Sequence, residues 1–292
     1  MSTLVFGFCG QVASELRRHD DVISVGRDSC DIADPAAIEG AIRAHSPRAV
    51  INAAAYTAVD KAETEVALAM RMNGDAPTTM ARLCAELDIP FIHLSTDYVF
   101  DGSGNQPWLP NAIPGPINAY GRSKLAGEDG VRAAGGRYAI LRTSWMFSEH
   151  GNNFVSTMLR IAGESDEISV VADQIGGPTP ANAVAQACIS IAHQLADDPV
   201  KAGTYHFSGT PDVSWFEFAQ AIFARSGQKV AVYPITSGEY PTAAIRPLNS
   251  RFDCGATRKV FGIDKPDWCT ALNTVISALQ PSCVSSPPPE AQ

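Results

Sequence analysis

The stretch Thr3-Leu-Val-Phe-Gly-Phe-Cys-Gly-Gln-Val-Ala13 constrains the fold more than any other part of the chain. An apolar run ends in a glycine turn and passes into a helical Ser14-Glu-Leu-Arg-Arg18. Strand, glycine turn and helix in that order form the phosphate-cradling entry of a dinucleotide-binding unit. Gly7 permits the tight turn, Gly10 lets backbone approach a pyrophosphate, and a small residue at 13 lets the helix pack on the strand. The helix N-terminus adds free N–H groups and partial positive charge. The spacing is GxxGxxA rather than the common GxGxxG. An ordinary glycine turn between strand and helix carries the same residues, so the rest of the chain has to decide.

The decision comes from alternation. Residues 22–26 read as a second strand, and Asp34-Pro35 offers an N-cap and a first-turn proline for a helix to about residue 45. A third strand at 48–52 opens into Ala53-Ala-Ala-Tyr-Thr57, whose small residues suit close approach of a cofactor. Alanine-rich helices follow at about 58–72 and 76–88, then strands at 90–95 and 138–143. Nearly continuous apolar strands alternating with helices imply a parallel sheet covered on both faces, with ligands at the carboxyl ends of its strands. The expected fold is therefore α/β: a Rossmann-type doubly wound parallel sheet with a smaller, discontinuous C-terminal substrate lobe. Residues 1–147, with returning segments near 172–208, form the dinucleotide-binding domain. Residues 148–171 and 209–280 form the lobe, and 281–292, with Pro287-Pro-Pro289, a disordered tail.

At the end of the second strand stands Gly26-Arg27-Asp28, where an NAD site often has an acid for the ribose 2′-hydroxyl. Arg27 can pair with a 2′-phosphate, which favours NADP, or be a solvated turn residue; Asp28 keeps NAD open. Tyr120-Gly-Arg-Ser-Lys124 sets a phenol and an ammonium on one helical face. A nearby cation favours the phenolate, and a phenol so tuned can pass a proton to or from a carbonyl oxygen. Alone, the spacing also describes a solvated face. Here Asn118 is placed to cap that helix, and Ser95-Thr96-Asp97 lies at a strand's carboxyl end. A nucleotide cradle, a hydroxyl at a strand end and a Tyr/Lys pair thus converge.

Composition narrows the partners. A net charge of −9 argues against general nucleic-acid or anionic-membrane binding. No apolar run approaches the ~18 residues of a spanning helix. The N-terminus enters its first strand without a basic-then-apolar leader, and the seven cysteines are scattered without CxxC pairs. A cytoplasmic location with reduced thiols is expected.

The residues also carry a resemblance. The blocks are Gly7-Phe-Cys-Gly-Gln-Val12, Val50-Ile-Asn-Ala-Ala-Ala-Tyr-Thr57, Ser95-Thr-Asp-Tyr-Val-Phe-Asp-Gly102, Tyr120-Gly-Arg-Ser-Lys-Leu-Ala-Gly-Glu128, Leu141-Arg-Thr-Ser-Trp-Met-Phe147 and Asp173-Gln-Ile-Gly-Gly-Pro-Thr179. Through them the chain resembles the extended short-chain dehydrogenases/reductases and, within these, the dTDP-4-dehydrorhamnose reductases, over all but its last dozen residues. The resemblance implies that NAD(P)H reduces the C4 keto group of dTDP-4-dehydro-6-deoxy-L-mannose, giving dTDP-L-rhamnose. It implies that Tyr120 protonates the alkoxide, that Lys124 holds the nicotinamide ribose and lowers the tyrosine's pKa, and that Thr96 bonds the sugar oxygen. Gly7, Gly10, Gln11, Val12, Arg27, Asp31, Ile32, Ala54, Ala55 and Tyr56, with Tyr120 and Lys124, would bind cofactor. Trp145 would wall the deoxysugar, with Asp97 nearby. Arg246 or Arg251 would pair with the diphosphate or bridge domains.

Some members of the family dimerise through magnesium held by glutamates. Glu15 fits the first position, but Ala181-Asn-Ala-Val184 and Thr274-Val-Ile-Ser-Ala-Leu279 lack the others. No metal is expected, Glu15 reads as a solvated helix residue, and the chain reads as a monomer or weak homodimer. A non-catalytic regulatory subunit of methionine adenosyltransferase type shares this fold, as do nucleotide-sugar epimerases and dehydratases. The intact Thr96, Tyr120 and Lys124 favour catalysis.

Overall fold

In the computed structural model, β1 (Thr3–Phe6), β2 (Val22–Val25), β3 (Ala49–Asn52), β4 (Phe91–Thr96), β5 (Tyr138–Thr143) and β6 (Gly203–His206) lie parallel, in the order β6-β5-β4-β3-β1-β2. The structure describes residues 2–280; the tail expected at 281–292 lies outside the described residues. Successive strand residues point to opposite faces, and both faces are apolar. Leu4, Phe6 and Val50 pack against helices α2 (Pro35–His45) and α4 (Ala76–Glu86). Val5, Ile51 and Leu141 pack on the other face against α1 (Gln11–Leu16) and the long helix Ala181–Asp197. Covering both faces is what allows an all-parallel sheet. The chain winds outward in both directions from β1 and β3, so a crevice opens at their carboxyl ends.

β1 stops at Phe6 because Gly7 turns at φ 132°. A Cβ there would lie 3.2 Å from both Ala13 Cβ and the Ala53 carbonyl carbon. Gly7 is thus the hinge that lets β1, α1 and the β3 loop meet. The helix expected from about 58 also differs. Residues Lys61–Glu63 form a 3-10 turn, α3 spans Val66–Met70, and a π-helical segment, Arg71–Asp75, joins it to α4. The glutamates before α3 are committed elsewhere: Glu65 accepts from Tyr56 Oη at 2.8 Å and Glu63 from Ala119 N at 2.7 Å. In the π segment the Asn73 amide clamps the Tyr56 backbone, accepting from its N (2.8 Å) and donating to its O (3.0 Å).

Helix α5 (Ala119–Ala134) packs on that segment through Gly127, where a Cβ would sit 2.1 Å from the Asn73 carbonyl oxygen. Asn118 caps α5 by accepting from Gly121 N at 2.8 Å. The remaining chain builds a second, smaller core. Helices α6 (Phe154–Ile161), α8 (Trp215–Ser226) and α10 (Trp268–Leu279) enclose Val155, Met158, Phe218, Ile222, Leu272 and Ile276. Between α6 and α8 lies α7 (Ala181–Asp197), which belongs to the sheet, and α9 (Gly255–Phe261) returns to it through Phe261. Short strands Ile175–Gly176, Val213–Ser214 and Asn249–Ser250 pair with one another and bring Ser250 to Asp97, just past the carboxyl end of β4. No helix among the described residues is long and apolar enough to cross a membrane.

Candidate active site

A cavity of about 630 Å³ opens at the carboxyl edge of the sheet. On one side it is walled by Gly10, Gln11 and Val12 of the glycine turn and by Ala54 and Ala55 after β3. Thr96 and Asp97 at the end of β4, Tyr120 and Lys124 on α5, and Trp145 form the other side. Gly10, the N-cap of α1, makes no side-chain cap bond, and a Cβ added there would meet nothing within 4 Å. The turn therefore offers open, uncapped backbone donors, which suits the pyrophosphate of a dinucleotide.

Five of the expected cofactor residues do not reach the cavity wall. Gly7 is packed between Ala13 and Ala53. Ile32 is buried in the core beneath β1 and β2. Asp31 turns back to accept from Ala33 N at 3.0 Å. Tyr56 directs its phenol to Glu65. Arg27 is exposed just beyond β2, and its side chain makes no ion pair among the described residues.

Tyr120 is buried, and its ring meets Tyr98 edge-on at 5.4 Å. Burial pushes the phenol up to about 12; the Asp97 carboxylate adds to this, and the Thr96 hydroxyl opposes it. The expected lowering by Lys124 is thus reversed in the free protein. Lys124 is itself buried, and its ammonium donates to the Leu94 carbonyl at 2.6 Å. Burial lowers it to about 8, against the pull of Glu128. Both groups keep their protons near neutral pH, which is the state a proton donor needs.

Thr96 Oγ1 donates to Asp97 Oδ1 at 3.0 Å and accepts from Tyr98 N at 3.2 Å. Asp97 also accepts from Ser250 Oγ, yet burial raises it to about 6. Because the folded value exceeds the ordinary 3.8, its stabilising contribution is full below pH ~4 and lost as pH rises through ~6. Asp97→Asn is therefore expected to gain stability over the parent as pH rises from about 4 to 7, by about 2–3 kcal/mol in all. Denaturant titration of both proteins across that range tests this; a constant difference contradicts it.

Residues far along the chain complete the cavity: Gln174, Trp215, Pro247 and Ser250. Trp145, held at φ 50°, stacks on Trp215 with centroids 3.6 Å apart. Trp215 Nε1 donates to Gln174 Oε1 at 3.2 Å. Arg246 forms a bidentate pair with Asp60 (2.6 and 2.8 Å), joining the lobe to the loop after β3; it is a bridging arginine. Arg251 bonds Asn249 Oδ1 at 3.1 Å.

The family described as RmlD substrate binding domain matches residues 1–280. The chain belongs to that family. It is 41% identical over 289 residues to a dTDP-4-dehydrorhamnose reductase of Sinorhizobium fredii, covering 96% of this chain and 98% of that one. A Clostridium acetobutylicum dTDP-4-dehydrorhamnose reductase superposes with TM-score 0.91 at 33% identity, covering 96% and 100% of the two chains. The Bacillus anthracis reductase, in complex with NADP, superposes with TM-score 0.88 at 35% identity over 95% and 99%.

In this RmlD-family chain Glu15 is not the solvated residue its position on α1 suggested. It is buried, within 3.0 Å of Arg18 Nη1 and 3.3 Å of His150 Nε2. Glu149 joins the cluster through Arg18. The ligand atoms of Glu15, Glu149 and His150 lie within 4.8 Å of one another, but the guanidinium already bridges the two carboxylates.

Proposed function

We propose that this chain is an NADPH-dependent dTDP-4-dehydrorhamnose reductase, converting the C4 keto group of dTDP-4-dehydro-6-deoxy-L-mannose to the hydroxyl of dTDP-L-rhamnose. The observation that carries the reading is the meeting of Tyr120, Lys124 and Thr96 in the wall of the same cavity as the glycine turn. NADPH, when bound, supplies the hydride. The protein supplies the rest. Thr96 and Tyr120 hold the keto oxygen, and Tyr120 gives its proton to that oxygen as C4 takes up hydride. The neutral phenol this requires is what burial provides. Lys124 holds the nicotinamide ribose from within the cavity and restores the positive field as the phenol loses its proton. Gly10, Gln11, Val12, Ala54 and Ala55 line the cofactor's path, and Trp145 offers the deoxysugar an apolar wall. Two domains serve this work: residues 1–147 with 172–208 bind the dinucleotide, and 148–171 with 209–280 bind the sugar nucleotide. The protein acts in the cytoplasm as a monomer or weak homodimer.

Arg27 at the end of β2 gives NADPH its advantage over NADH. Its exposed guanidinium, without an ion-pair partner among the described residues, can meet a 2′-phosphate, and a charge-assisted bond of this kind is worth about 1.5–3 kcal/mol. Arg27→Ala is expected to weaken NADPH about 10- to 100-fold and leave NADH unchanged. Equal loss for both coenzymes removes Arg27 from the selection. The reading as a whole is tested by following NADPH oxidation with dTDP- and UDP-linked 4-keto-6-deoxy sugars. Turnover is expected with the dTDP-L-lyxo sugar; a folded protein that binds NADPH yet oxidises none of it with any keto sugar overturns the reading.

A further inference from the structure

Behind the cavity, α5 is fastened to β4 at two consecutive strand residues. Lys124 Nζ donates to the Leu94 carbonyl at 2.6 Å, and one helical turn later Glu128 Oε1 accepts from Ser95 Oγ, also at 2.6 Å. The next residue along β4 is Thr96. Glu128 is in turn gripped by β5: Arg142 Nε lies 2.8 Å from Oε1 and Arg142 Nη2 2.6 Å from Oε2. Arg142 also donates to the Pro110 carbonyl at 3.2 Å, and Arg132 reaches Glu128 from the solvent side. Glu128 is 0% exposed and Arg142 1%. Burying this many charges is costly, and a buried ion pair by itself adds little stability.

We propose that Glu128 is a positioning residue for the reaction: through Ser95 and Arg142 it fixes the register of α5 against β4, and so sets Tyr120 and Lys124 opposite Thr96. The inference rests on the reductase reading of that site. Glu128 itself does not line the cavity. Its carboxylate has a second effect, on the charge of Lys124. The groups whose charge acts with Lys124 are Glu128 on the same helix and His93 on β4. His93 is held neutral by burial, with Lys124 and Arg132 adding to the effect. Among these, Glu128 is the group that favours the ammonium, against desolvation. Removing its charge moves the loss of the Lys124 proton to lower pH.

The test is Glu128→Gln, with kcat and KM measured from pH 6 to 10 beside NADPH affinity. The expected result is a fall in kcat of about 10- to 100-fold, as for a small misplacement of reacting groups, with the alkaline limb moved to lower pH. KM for the keto sugar and Kd for NADPH stay near the parent values. A folded variant with parental kcat and alkaline limb overturns the proposal. So does a parallel decline of kcat, KM and cofactor affinity without a shifted limb, since that marks a merely structural residue. If Glu128→Gln does not fold, Ser95→Ala keeps both charges and removes the tie to β4. Its kcat is expected to fall several-fold at unchanged KM, and a parental kcat overturns the proposal. Tyr120→Phe run alongside separates the two readings. If it stays active, the catalytic assignment fails; if it is inactive while Glu128→Gln is parental, only the positioning role fails.

Discussion

Tyr120→Phe is expected to lower kcat by about 10²–10⁴-fold, the usual contribution of one positioned proton donor. The substitution removes a hydroxyl and leaves the ring, so the edge-on contact with Tyr98 and the packing against Ala119 and Ala62 persist. Fold and NADPH affinity should therefore match the parent. The Lys124 ammonium is engaged by Leu94 O. Stopped-flow or steady-state rates with the keto sugar, with cofactor binding measured separately, decide the matter. Parental turnover takes Tyr120 out of the chemistry. The raised phenol also has a consequence for pH. With Tyr120 near 12, proton donation stays available through pH 9, and the first group lost on the alkaline side is Lys124, near 8.

Arg142→Met is expected to cost about 3–5 kcal/mol of folding stability, because it strands the Glu128 carboxylate in the core. At this chain length that lowers Tm by on the order of 10 °C. The guanidinium supplies two of the bonds that satisfy Glu128 and lies 4.9 Å above the Phe100 ring, so packing is lost as well. The charge-free pair Arg142→Met with Glu128→Gln should recover most of the loss, since replacing both partners of a buried pair by groups of similar size is often close to neutral. Thermal melts of the single and double variants separate the effects. A single variant as stable as the parent, or a double variant no better than the single, contradicts the account.

The parts of this protein that are local were legible in the sequence. Asp34 and Ser214 cap their helices by accepting from Ala36 N and Glu217 N, as residue type and position predict. The alternation of apolar strands and helices gave a parallel sheet with both faces covered, and the four-residue spacing put Tyr120 and Lys124 on one side of α5. Where the structure differs from the pattern of the sequence, a partner distant along the chain intervenes. Ser250 reaches Asp97 across 153 positions. Trp215 stacks on Trp145 from a different lobe. Glu15 sits on an exposed-looking helical face until residues 149 and 150 fold over it. The helix expected from about 58 begins at Val66 because Glu63 and Glu65 serve Ala119 and Tyr56 instead. The phenol's acidity differs from what the spacing predicts for a related reason. Spacing shows that an ammonium lies on the same face, but not that it turns to the Leu94 carbonyl while the Asp97 charge bears on the phenol from just beyond β4.

Net transfer of hydride from NADPH to sugar C4 is read directly by isotopic labelling. NADPH carrying deuterium at the transferable C4 position should yield dTDP-L-rhamnose with one deuterium at sugar C4, and one NADP⁺ for each sugar reduced. Product with only protium at C4, or a sugar epimer formed with no net oxidation of the labelled NADPH, would contradict it and mark an enzyme that regenerates its cofactor.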